Sequence, residues 1–503
     1  MKYIVKISPE LSIKSRGVRK RAVINLRNNI KTHLEFNNIK ANLTGNWDRI
    51  NIDSKDNNNI SNILLKIPGI SNFLEVETIG LYDNNVESVE KLSLNEVFEL
   101  IYTNVKDYYL DKVHNKTFSV RVKRIGNHSF KSIDLERFLG FSLLRDSNNS
   151  KVKLELPDII VKIEIKDYNL YIVKNKVEGI GGYPVGFQDR VLSLISGGFD
   201  SGVSTYSMIK RGCEVDYLFF NLGGNAHELG VKQVSNYLWR NFSIPYKRAK
   251  FITVNFEEIV KELIEKVNHK YRGIILKRYM LKLASIISEG SHYALIKGDS
   301  LGQVSSQTLK NIHVIDKASN NLVFRPLISY NKQEIVDISK QIGTYNFACN
   351  MPEYCGVISD RPSVGAKLED ILLEEEKILD EVLLRAVENK KIEFVKDMME
   401  QYKGVNATVL DVVFLPGDNE VIIDIREKTS IDKKPLIIEN VEKIEIPFYD
   451  INYKFESLDN TKIYLLYCDK GILSNLHGLY LIEKGFQNVK IYRSIINDKS
   501  CSI

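Results

Sequence analysis

An apolar strand in this chain runs directly into a glycine-rich turn and then into a helix. The stretch begins at Leu192 and continues as Ser-Gly-Gly-Phe-Asp-Ser at positions 196–201. The two glycines permit positive φ and let a phosphate approach the backbone, and the amides that open the helix present unsatisfied donors to an anion. The hydroxyl groups of Ser196 and Ser201 add two donors, and the Asp200 carboxylate suits a magnesium ion. The stretch therefore predicts a phosphate-binding loop between a strand and a helix.

Motifs that are missing from the chain narrow the chemistry of this loop. No Gly-x-x-x-x-Gly-Lys-Ser/Thr occurs, and no Gly-x-Gly-x-x-Gly opens a helix, so hydrolysis at a γ-phosphate is disfavoured. A plain glycine turn would explain Gly197 and Gly198 but explains the six-residue pattern poorly. Ser-Gly-Gly-x-Asp-Ser resembles the pyrophosphate loop of the ATP pyrophosphatase superfamily, whose members adenylate a carbonyl or amide oxygen and release pyrophosphate.

Length and composition indicate a soluble protein of several domains. The chain has 503 residues, 44% of them hydrophobic and 27% charged, and a single core rarely extends over that length. No apolar run reaches the ~18 residues of a membrane helix, and the first residues lack a signal-peptide core, so we expect a cytoplasmic protein without membrane contact. The five cysteines fit no zinc spacing and form an odd number, so we expect free thiols and no metal site.

Two clusters of basic residues precede the phosphate loop. Residues 1–31 contain nine Lys or Arg against the single acid Glu10, and a second cluster lies on a strand pattern at 118–122 and in the loop after it. Such faces suit a nucleic-acid backbone, and a solvated surface is the alternative explanation for each cluster. The candidate nucleic-acid contacts are Lys14, Arg16, Arg19, Lys20 and Arg21 in the first cluster and Arg121, Lys123 and Arg124 in the second.

Helix and strand patterns divide the chain into four domains and one connecting segment. The first two domains have α+β patterns, the third has the pattern of a doubly wound α/β domain with a parallel sheet, and the last is a small α/β domain. An acidic, helical segment precedes the last domain, and we interpret it as a linker. The predicted boundaries are 1–60, 61–165, 175–365, 366–403 for the linker, and 404–503.

Several cations of the doubly wound domain are candidates for contact with a nucleotide. Lys277 and Arg278 lie on a predicted helix, and a polar segment at 298–307 follows a predicted strand. Arg325 and Lys332 lie farther along and can offer positive charge to a departing pyrophosphate. A surface salt bridge is the alternative for each cation, and for Arg278 the two explanations are equally open.

Cys468 lies where an apolar strand becomes a loop that leads into a helix. Loop amides and the positive end of the helix dipole favour a thiolate there, so we interpret Cys468 as a nucleophile. Cys355 lies in a turn-rich segment at 351–356, where the residues alone leave a buried filler and a reactive thiol equally open. Two thiols are useful together, because sulfur transfer from a persulfide can end in a disulfide. We interpret the other cysteines as bystanders: Cys213, Cys349 and Cys501.

Together these motifs resemble the tRNA 4-thiouridine synthase family (tRNA sulfurtransferases), in its long form with a C-terminal rhodanese domain. The resemblance covers nearly the whole chain. It implies, in order along the chain, a ferredoxin-like domain, a THUMP RNA-binding domain, a PP-loop ATP pyrophosphatase domain and, after the linker, a rhodanese-like α/β domain. The segments that carry it are 67–70, 118–124, 192–201, 221–224, 302–307, 351–356 and the loop of Cys468.

The resemblance also implies a reaction, its residues and its partners. ATP, as its Mg²⁺ complex and without a tightly bound cofactor, adenylates O4 of the uridine at position 8 of tRNA, assisted by Asp200 and Lys332. A cysteine desulfurase loads Cys468 with a persulfide, and Cys355 resolves the intermediate through a disulfide with Cys468. A homodimer and sulfur donation to the thiamine sulfur-carrier protein are implied as well. The implied ATP-binding residues are Leu194, Ile195, Ser196, Gly197, Gly198, Ser201, Lys277, Gly298 and Gln307.

Two other functions are open from the sequence. An ATP pyrophosphatase of the amidotransferase or lysidine-synthase type would use ammonia or an amine and would not need Cys468. A non-catalytic tRNA-binding adaptor with a decayed nucleotide fold would not need an intact phosphate loop. Dependence of product formation on Cys468, and of ATP–pyrophosphate exchange on Asp200, would separate these possibilities.

Overall fold

A computed structural model of the chain provides the structure, which consists of two compact units. The first unit comprises residues 1–187 with 210–212, and the second comprises residues 188–209 with 213–503. The structure describes residues 2–45, 49–55, 59–81, 93–126, 128–166, 169–222, 224–349, 361–399, 410–417, 419–426, 431–432, 434–438, 441–447, 450–469, 474, 477–478, 481–482 and 484–493.

The first unit contains one eight-stranded sheet with the strand order β2-β3-β1-β4-β8-β7-β5-β6. Its strands are β1 (Lys2–Ile7), β2 (Asn42–Gly45), β3 (Arg49–Asp53), β4 (Ile70–Gly80), β5 (Thr117–Ile125), β6 (Lys151–Val152), β7 (Ile159–Lys166) and β8 (Asn169–Glu178). Its helices are α1 (Pro9–Ser12), α2 (Arg16–Phe36), α3 (Ile60–Leu64), α4 (Leu94–Val113) and α5 (Ser132–Asp146).

Strands from both predicted N-terminal domains share this sheet. β4 pairs antiparallel with β1 on one side and with β8 on the other, so hydrogen bonding continues across the predicted boundary at residue 60. The side chains nevertheless form separate cores. Leu26 and Ile30 of α2 belong to one core, and Val105 of α4 and Leu139 of α5 belong to another. The boundaries 1–60 and 61–165 stay predictions.

The nucleotide part of the second unit has a six-stranded sheet with the order β13-β12-β9-β10-β11-β14. All neighbours are parallel except β14, which confirms the predicted parallel sheet. Its strands are β9 (Arg190–Leu194), β10 (Glu214–Asn221), β11 (Lys250–Asn255), β12 (Ala294–Ile296), β13 (Leu322–Phe324) and β14 (Lys391–Phe394). The helices are α6 (Phe199–Lys210), α7 (Gly224–Leu238), α8 (Glu257–Lys266), α9 (Arg272–Ser288), α10 (Leu309–Asp316), α11 (Lys332–Ile342), α12 (Tyr345–Cys349), α13 (Leu368–Glu375) and α14 (Asp380–Glu388).

The strand order of this sheet reverses direction at β9. The chain adds β10 and β11 on one side of β9 and then returns to add β12 and β13 on the other side. In parallel α/β sheets, ligands bind beyond the carboxyl ends of the strands at such a reversal, because the connections diverge there and leave a crevice. The topology therefore points to the loops after β9 and β12 as the binding site.

The sequence predicted a connecting linker at 366–403, but the described residues of this segment pack into the nucleotide part. Ile371 of α13 and Val382 and Leu383 of α14 are buried in the core of the nucleotide part. β14 pairs antiparallel with β11 and extends the sheet. The apolar spacing in the sequence indicated that these helices bury one face, but periodicity does not identify what covers it. The acidic face expected for solvent includes Glu375, which pairs with a buried arginine of α9.

The C-terminal part has a five-stranded sheet with the order β15-β19-β18-β16-β17, and all neighbours are parallel. The central strand, β18, ends directly before Cys468. None of the helices in the described part of the chain has the length and apolarity that crossing a bilayer requires. The elements are β15 (Val412–Val413), β16 (Glu420–Asp424), β17 (Lys443–Glu445), α15 (Ile451–Lys454), β18 (Ile463–Tyr467) and β19 (Val489–Tyr492).

The buried pair between Arg278 and Glu375 ties α9 to α13. Arg278 is 4% exposed, its Nε lies 2.6 Å from Oε1 of Glu375, and its Nη1 donates to the carbonyl of Val314. This geometry commits the guanidinium of Arg278 to the fold and removes it from the candidate nucleotide contacts.

We predict that Glu375→Ala destabilises the second unit by about 3–5 kcal/mol, because it leaves the Arg278 guanidinium buried without its charge partner. Unfolding in urea, followed by circular dichroism, measures the change. Glu376→Ala is the matched control, since Glu376 is the next residue and is exposed. Equal unfolding midpoints for the two variants would contradict the prediction.

Candidate functional site

The phosphate loop lies at the carboxyl end of β9, and α6 begins inside it at Phe199. Gly197 has φ of 81°, a conformation that favours glycine. The Ser201 hydroxyl accepts a hydrogen bond from the Ser196 amide at 3.2 Å and donates to the Gly198 carbonyl at 3.1 Å. A hydroxyl has one proton to donate, so Ser201 acts here as scaffold that closes the loop. Its predicted contact with ATP stays a prediction.

Gly298 brings the end of β12 against the first turn of α6. A Cβ at this position would lie 2.7 Å from the carbonyl carbon of Asp200 and 2.9 Å from the amide nitrogen of Ser201. Both neighbours are backbone atoms, which cannot move aside without displacing the loop. The structure therefore supports a role for Gly298 in the shape of the site, since only glycine permits this close approach.

The carboxylate of Asp200 is held by two side chains from different segments. Nζ of Lys332, the first residue of α11, lies 2.8 Å from Oδ1 of Asp200. Nε2 of Gln303 donates to Oδ2 at 2.8 Å. The family resemblance implied that Asp200 and Lys332 both assist adenylation, and the structure brings the two side chains together. Sequence reasoning did not single out Gln303, and the available signal was its position in the polar segment 298–307.

A buried cluster of charges lies immediately after β12. Nζ of Lys297 and Nε of Arg325 each lie 3.0 Å from Oδ2 of Asp299, and Arg325 also pairs with Asp316. Burial opposes ionisation of Asp299, but Lys297, Lys277 and Arg325 outweigh it and hold the pKa of this carboxyl well below its usual range. Burial lowers the pKa of Lys297, and Asp299 opposes that shift. Arg325 therefore serves this cluster, which leaves Lys332 as the cation nearest the loop carboxylate.

The other predicted ATP-binding residues of this domain lie on α9, in the polar segment after β12 and at the end of β9. Nζ of Lys277 donates to the Ser306 hydroxyl at 2.7 Å, which joins α9 to the polar segment after β12. Gln307 is buried, and its Oε1 has no hydrogen-bond partner among the residues that the structure describes. The Ile195 amide donates to the carbonyl of Leu218, so its backbone donor belongs to the sheet. Leu194, the last residue of β9, is half-buried.

His227 of α7 supports the phosphate loop from behind. Its Nε2 lies 3.3 Å from the carbonyl oxygen of Ser196, and a carbonyl only accepts, so this nitrogen carries the proton. Burial lowers the pKa of His227 to about 4, so the ring is neutral at neutral pH. Sequence reasoning missed His227, because a lone histidine on a helix gives no signal by itself.

Cys468 is buried at the carboxyl end of β18, in the setting that the sequence predicted. The Ser474 amide donates to its Sγ at 3.3 Å, and the Ser474 hydroxyl lies 3.5 Å away. Arg426 follows the neighbouring strand β16, and its guanidinium bridges two carboxylates. Its Nη2 lies 2.7 Å from Asp424, and its Nη1 lies 3.0 Å from Asp469. The nucleophilic role of Cys468 stays a prediction.

Cys355, the partner in the expected disulfide, lies outside the described residues, as do Gly223 and Cys501. The described cysteines are free thiols, Cys468 among them. The disulfide therefore stays a prediction. Within the described residues, no group of three or more His, Cys, Asp or Glu side chains is arranged to hold a metal ion.

One face of α2 lines a cavity of about 540 Å³ in the first unit, together with the β2–β3 hairpin. It includes three of the predicted basic contacts and adds Arg27, whereas Lys14 and Arg21 do not line it. Helical spacing could have identified Arg27, because it is seven residues after Lys20 and therefore lies on the same face of α2. The lining residues are Arg16, Arg19, Lys20, Val23, Ile24, Arg27, Gly45 and Ile50.

The second basic cluster lies on β5, where Arg121 and Lys123 are exposed and alternate with buried valines. Arg121 donates to the carbonyls of Val120 and Leu154, and Arg124 donates to the carbonyl of His128. The two guanidinium groups are therefore held by local backbone, while the Lys123 side chain is exposed. Arg121 and Lys123 face away from the core, whereas the guanidinium of Arg124 lies 5.7 Å from the ring centroid of Phe130, a core residue.

Known protein families and proteins match most of the chain in sequence. The family model described as thiamine biosynthesis protein (ThiI) matches residues 186–380, and the THUMP domain model matches residues 92–173. The tRNA sulfurtransferase of Citrobacter koseri is 44% identical over 497 residues, which cover 98% of this chain and 100% of the relative. The tRNA sulfurtransferase of Escherichia coli strain K12/DH10B has the same identity and coverage.

Solved structures show the same relationship. The crystal structure of a 4-thiouridine synthetase–RNA complex with bound ATP matches with a TM-score of 0.66 and 27% identity, over 78% of this chain and 98% of that chain. PH1313 from Pyrococcus horikoshii matches with a TM-score of 0.51 and 19% identity, over 68% of this chain and 100% of that chain. The latter likeness concerns the fold alone.

We predict that Gly298→Ala weakens ATP binding by about 10-fold or more, because the new Cβ displaces the loop backbone at Asp200. Gly202→Ala in α6 is the matched control, since the nearest atom to its new Cβ is Thr344 Oγ1 at 3.9 Å. Isothermal titration calorimetry with ATP measures both variants. Unchanged ATP affinity in Gly298→Ala would contradict the proposed close approach.

Proposed function

This chain belongs to the tRNA sulfurtransferase family, and we propose that it couples ATP cleavage at the phosphate loop to sulfur transfer from Cys468, making 4-thiouridine at position 8 of tRNA. The observation that carries the ATP half is Asp200, which lies in the first turn of α6 at the sheet reversal and pairs with Lys332. A loop of this kind binds phosphate through helix amides and leaves a carboxylate for the magnesium of the substrate complex.

In the proposed first step, O4 of the uridine attacks the α-phosphorus of ATP. A new bond forms between O4 and phosphorus, the bond to pyrophosphate breaks, and N3 of the uridine loses its proton. The loop amides and the ammonium groups of Lys332 and Lys277 stabilise the charge of the departing pyrophosphate. The neutral His227 holds the loop in place without adding a charge of its own.

In the proposed second step, the terminal sulfur of a persulfide on Cys468 attacks C4 of the uridine, and AMP leaves with O4. The thiol of Cys355 then attacks Sγ of Cys468. The sulfur–sulfur bond of the former persulfide breaks, the sulfur stays on the base, and a disulfide links the two cysteines. A two-electron reductant of the dithiol class must reopen that disulfide. The Ser474 amide supports this role of Cys468, since it donates to the sulfur.

We further propose that the cationic cavity of α2 and the basic face of β5 contact the phosphate backbone of tRNA. Four cations around one cavity create a positive potential that attracts a polyanion. The exposed Lys123 on β5 extends this charge.

The family resemblance supports several further proposals. A cysteine desulfurase supplies the persulfide, the chain forms a homodimer in the cytoplasm, and the rhodanese-like domain also gives sulfur to the thiamine sulfur-carrier protein. The parallel five-stranded sheet with Cys468 after its central strand supports the rhodanese-like assignment. The mixed sheet and α2 support the ferredoxin-like assignment at the N-terminus.

We predict that Cys468→Ser abolishes tRNA thiolation while ATP–pyrophosphate exchange in the presence of tRNA persists, because the hydroxyl cannot carry a persulfide but the phosphate loop is unchanged. The near-ultraviolet absorbance of 4-thiouridine and the exchange of labelled pyrophosphate measure the two steps. Cys349→Ser is the matched control at an exposed cysteine. Thiolation that survives Cys468→Ser would contradict the proposed persulfide on Cys468.

We predict that Arg27→Ala weakens tRNA binding about 3-fold to 10-fold and lowers the slope of log affinity against log salt by about 1, because one phosphate contact is lost. Lys31→Ala removes the same charge from α2 outside the cavity and serves as control. Filter binding over a salt series measures both variants. Equal losses in the two variants would show that the cavity has no special role.

A further inference from the structure

We propose that Gln303 is a positioning residue that holds the carboxylate of Asp200 in its working orientation. This role rests on the proposed adenylation reaction and adds a residue to it. Nε2 of Gln303 lies 2.8 Å from Oδ2 of Asp200. Since a carboxylate only accepts, the amide nitrogen and not the amide oxygen must face Asp200.

The two partners of Asp200 divide its oxygens between them. Lys332 contacts Oδ1 and Gln303 contacts Oδ2, so the plane of the carboxylate is held at both ends. The Lys332 side chain is 42% exposed, and an exposed ion pair of this kind restrains a carboxylate only weakly. The second hydrogen bond therefore supplies the orientation that an ammonium ion alone does not.

The backbone around Gln303 is itself held in place. The Leu301 amide donates to the carbonyl of Ile328 at 3.0 Å, and the Gly302 amide donates to the carbonyl of Gln307 at 2.9 Å. Gly302 has φ of 77°, which turns the chain toward the loop. Because backbone hydrogen bonds fix this segment, the Gln303 side chain loses little further conformational freedom when it binds Asp200. A reactive group is preorganised by neighbours that are fixed in this way.

The other end of the Gln303 amide points to a ligand. Its Oε1 is buried and has no hydrogen-bond partner among the described residues. A buried acceptor next to a reactive carboxylate is satisfied when a bound substrate presents an N–H or O–H group. The amide thus faces Asp200 with its donor and the substrate side with its acceptor.

The test uses full-length Gln303→Met, which keeps the length of the side chain and removes both the amide donor and the amide acceptor. Gln333→Met is the matched control, because Gln333 makes an exposed hydrogen bond to Asp337 on α11. Initial rates of tRNA-dependent ATP–pyrophosphate exchange give kcat and the KM for ATP. We expect Gln303→Met to lower kcat about 10-fold to 100-fold with KM changed less than about 3-fold, and the control to behave as wild type.

A double-mutant cycle with Asp200→Asn separates positioning from general support of the fold. If Gln303 acts through Asp200, Gln303→Met adds less than about 3-fold to the loss already caused by Asp200→Asn. Additive losses, or a loss confined to KM, would overturn the role of Gln303. Wild-type protein without any exchange activity would instead overturn the proposed adenylation itself.

Gln303→Glu provides a second variant with a readout that a structural role would not change. The introduced carboxylate repels Asp200 at neutral pH, whereas its protonated form can donate to Asp200 as the amide does. Its kcat relative to wild type should therefore rise as pH falls from 8 toward about 5. A constant ratio across that pH range would overturn the proposal. This test remains valid if Gln303→Met fails to fold.

Discussion

The contact between Gly298 and the backbone at Asp200 and Ser201 is the constraint on which the nucleotide site depends. It brings the loop after β12 against the first turn of α6 with no side chain between them. The polar segment 298–307 is thereby placed over the phosphate loop, which lets Gln303 reach Asp200. The sheet reversal at β9 opens the crevice, and the missing Cβ of Gly298 sets how closely its two sides approach.

The charges near the crevice fall into two groups with different roles. Arg325 and Lys297 pair with the buried Asp299, and such pairs are costly to separate because each member would remain desolvated. Lys332 is more exposed and contacts Asp200 at the mouth of the loop, where a ligand can compete for it. The buried group therefore stabilises the site, whereas the exposed group is available to substrate.

The same local arrangement occurs at two places in this chain. The phosphate loop follows β9, and Cys468 follows β18, the central strand of another parallel sheet. In both places the loop starts at the carboxyl end of a strand: α6 begins within the first loop at Phe199, and in the second the Ser474 amide donates to Sγ of Cys468. Parallel sheets favour this position, because each connection leaves the strand there and exposes its donors.

Features that neighbouring residues encode could be predicted from the sequence, whereas contacts between residues far apart along the chain could not. The strand, phosphate loop and helix at 190–210, the parallel sheet, the basic face of α2 and the setting of Cys468 were visible in the sequence, because φ preferences and periodicity act over a few residues. Family resemblance added Asp200 and Lys332 as residues that assist adenylation, and their contact across 132 residues came from the structure. Gln303 and Asp200 are 103 residues apart, and Arg278 and Glu375 are 97 apart.

Those long-range partners were decided by the tertiary structure alone. A charged or polar residue in the sequence shows that a partner is needed, but packing selects which group arrives within hydrogen-bond distance. For this reason Arg278 could not be separated from the nucleotide contacts, and α13 and α14 could not be separated from a linker, until their buried neighbours were known. The sequence by itself determined the local chemistry of this protein, and tertiary structure decided which of its charges are bound to each other and which are left for a substrate.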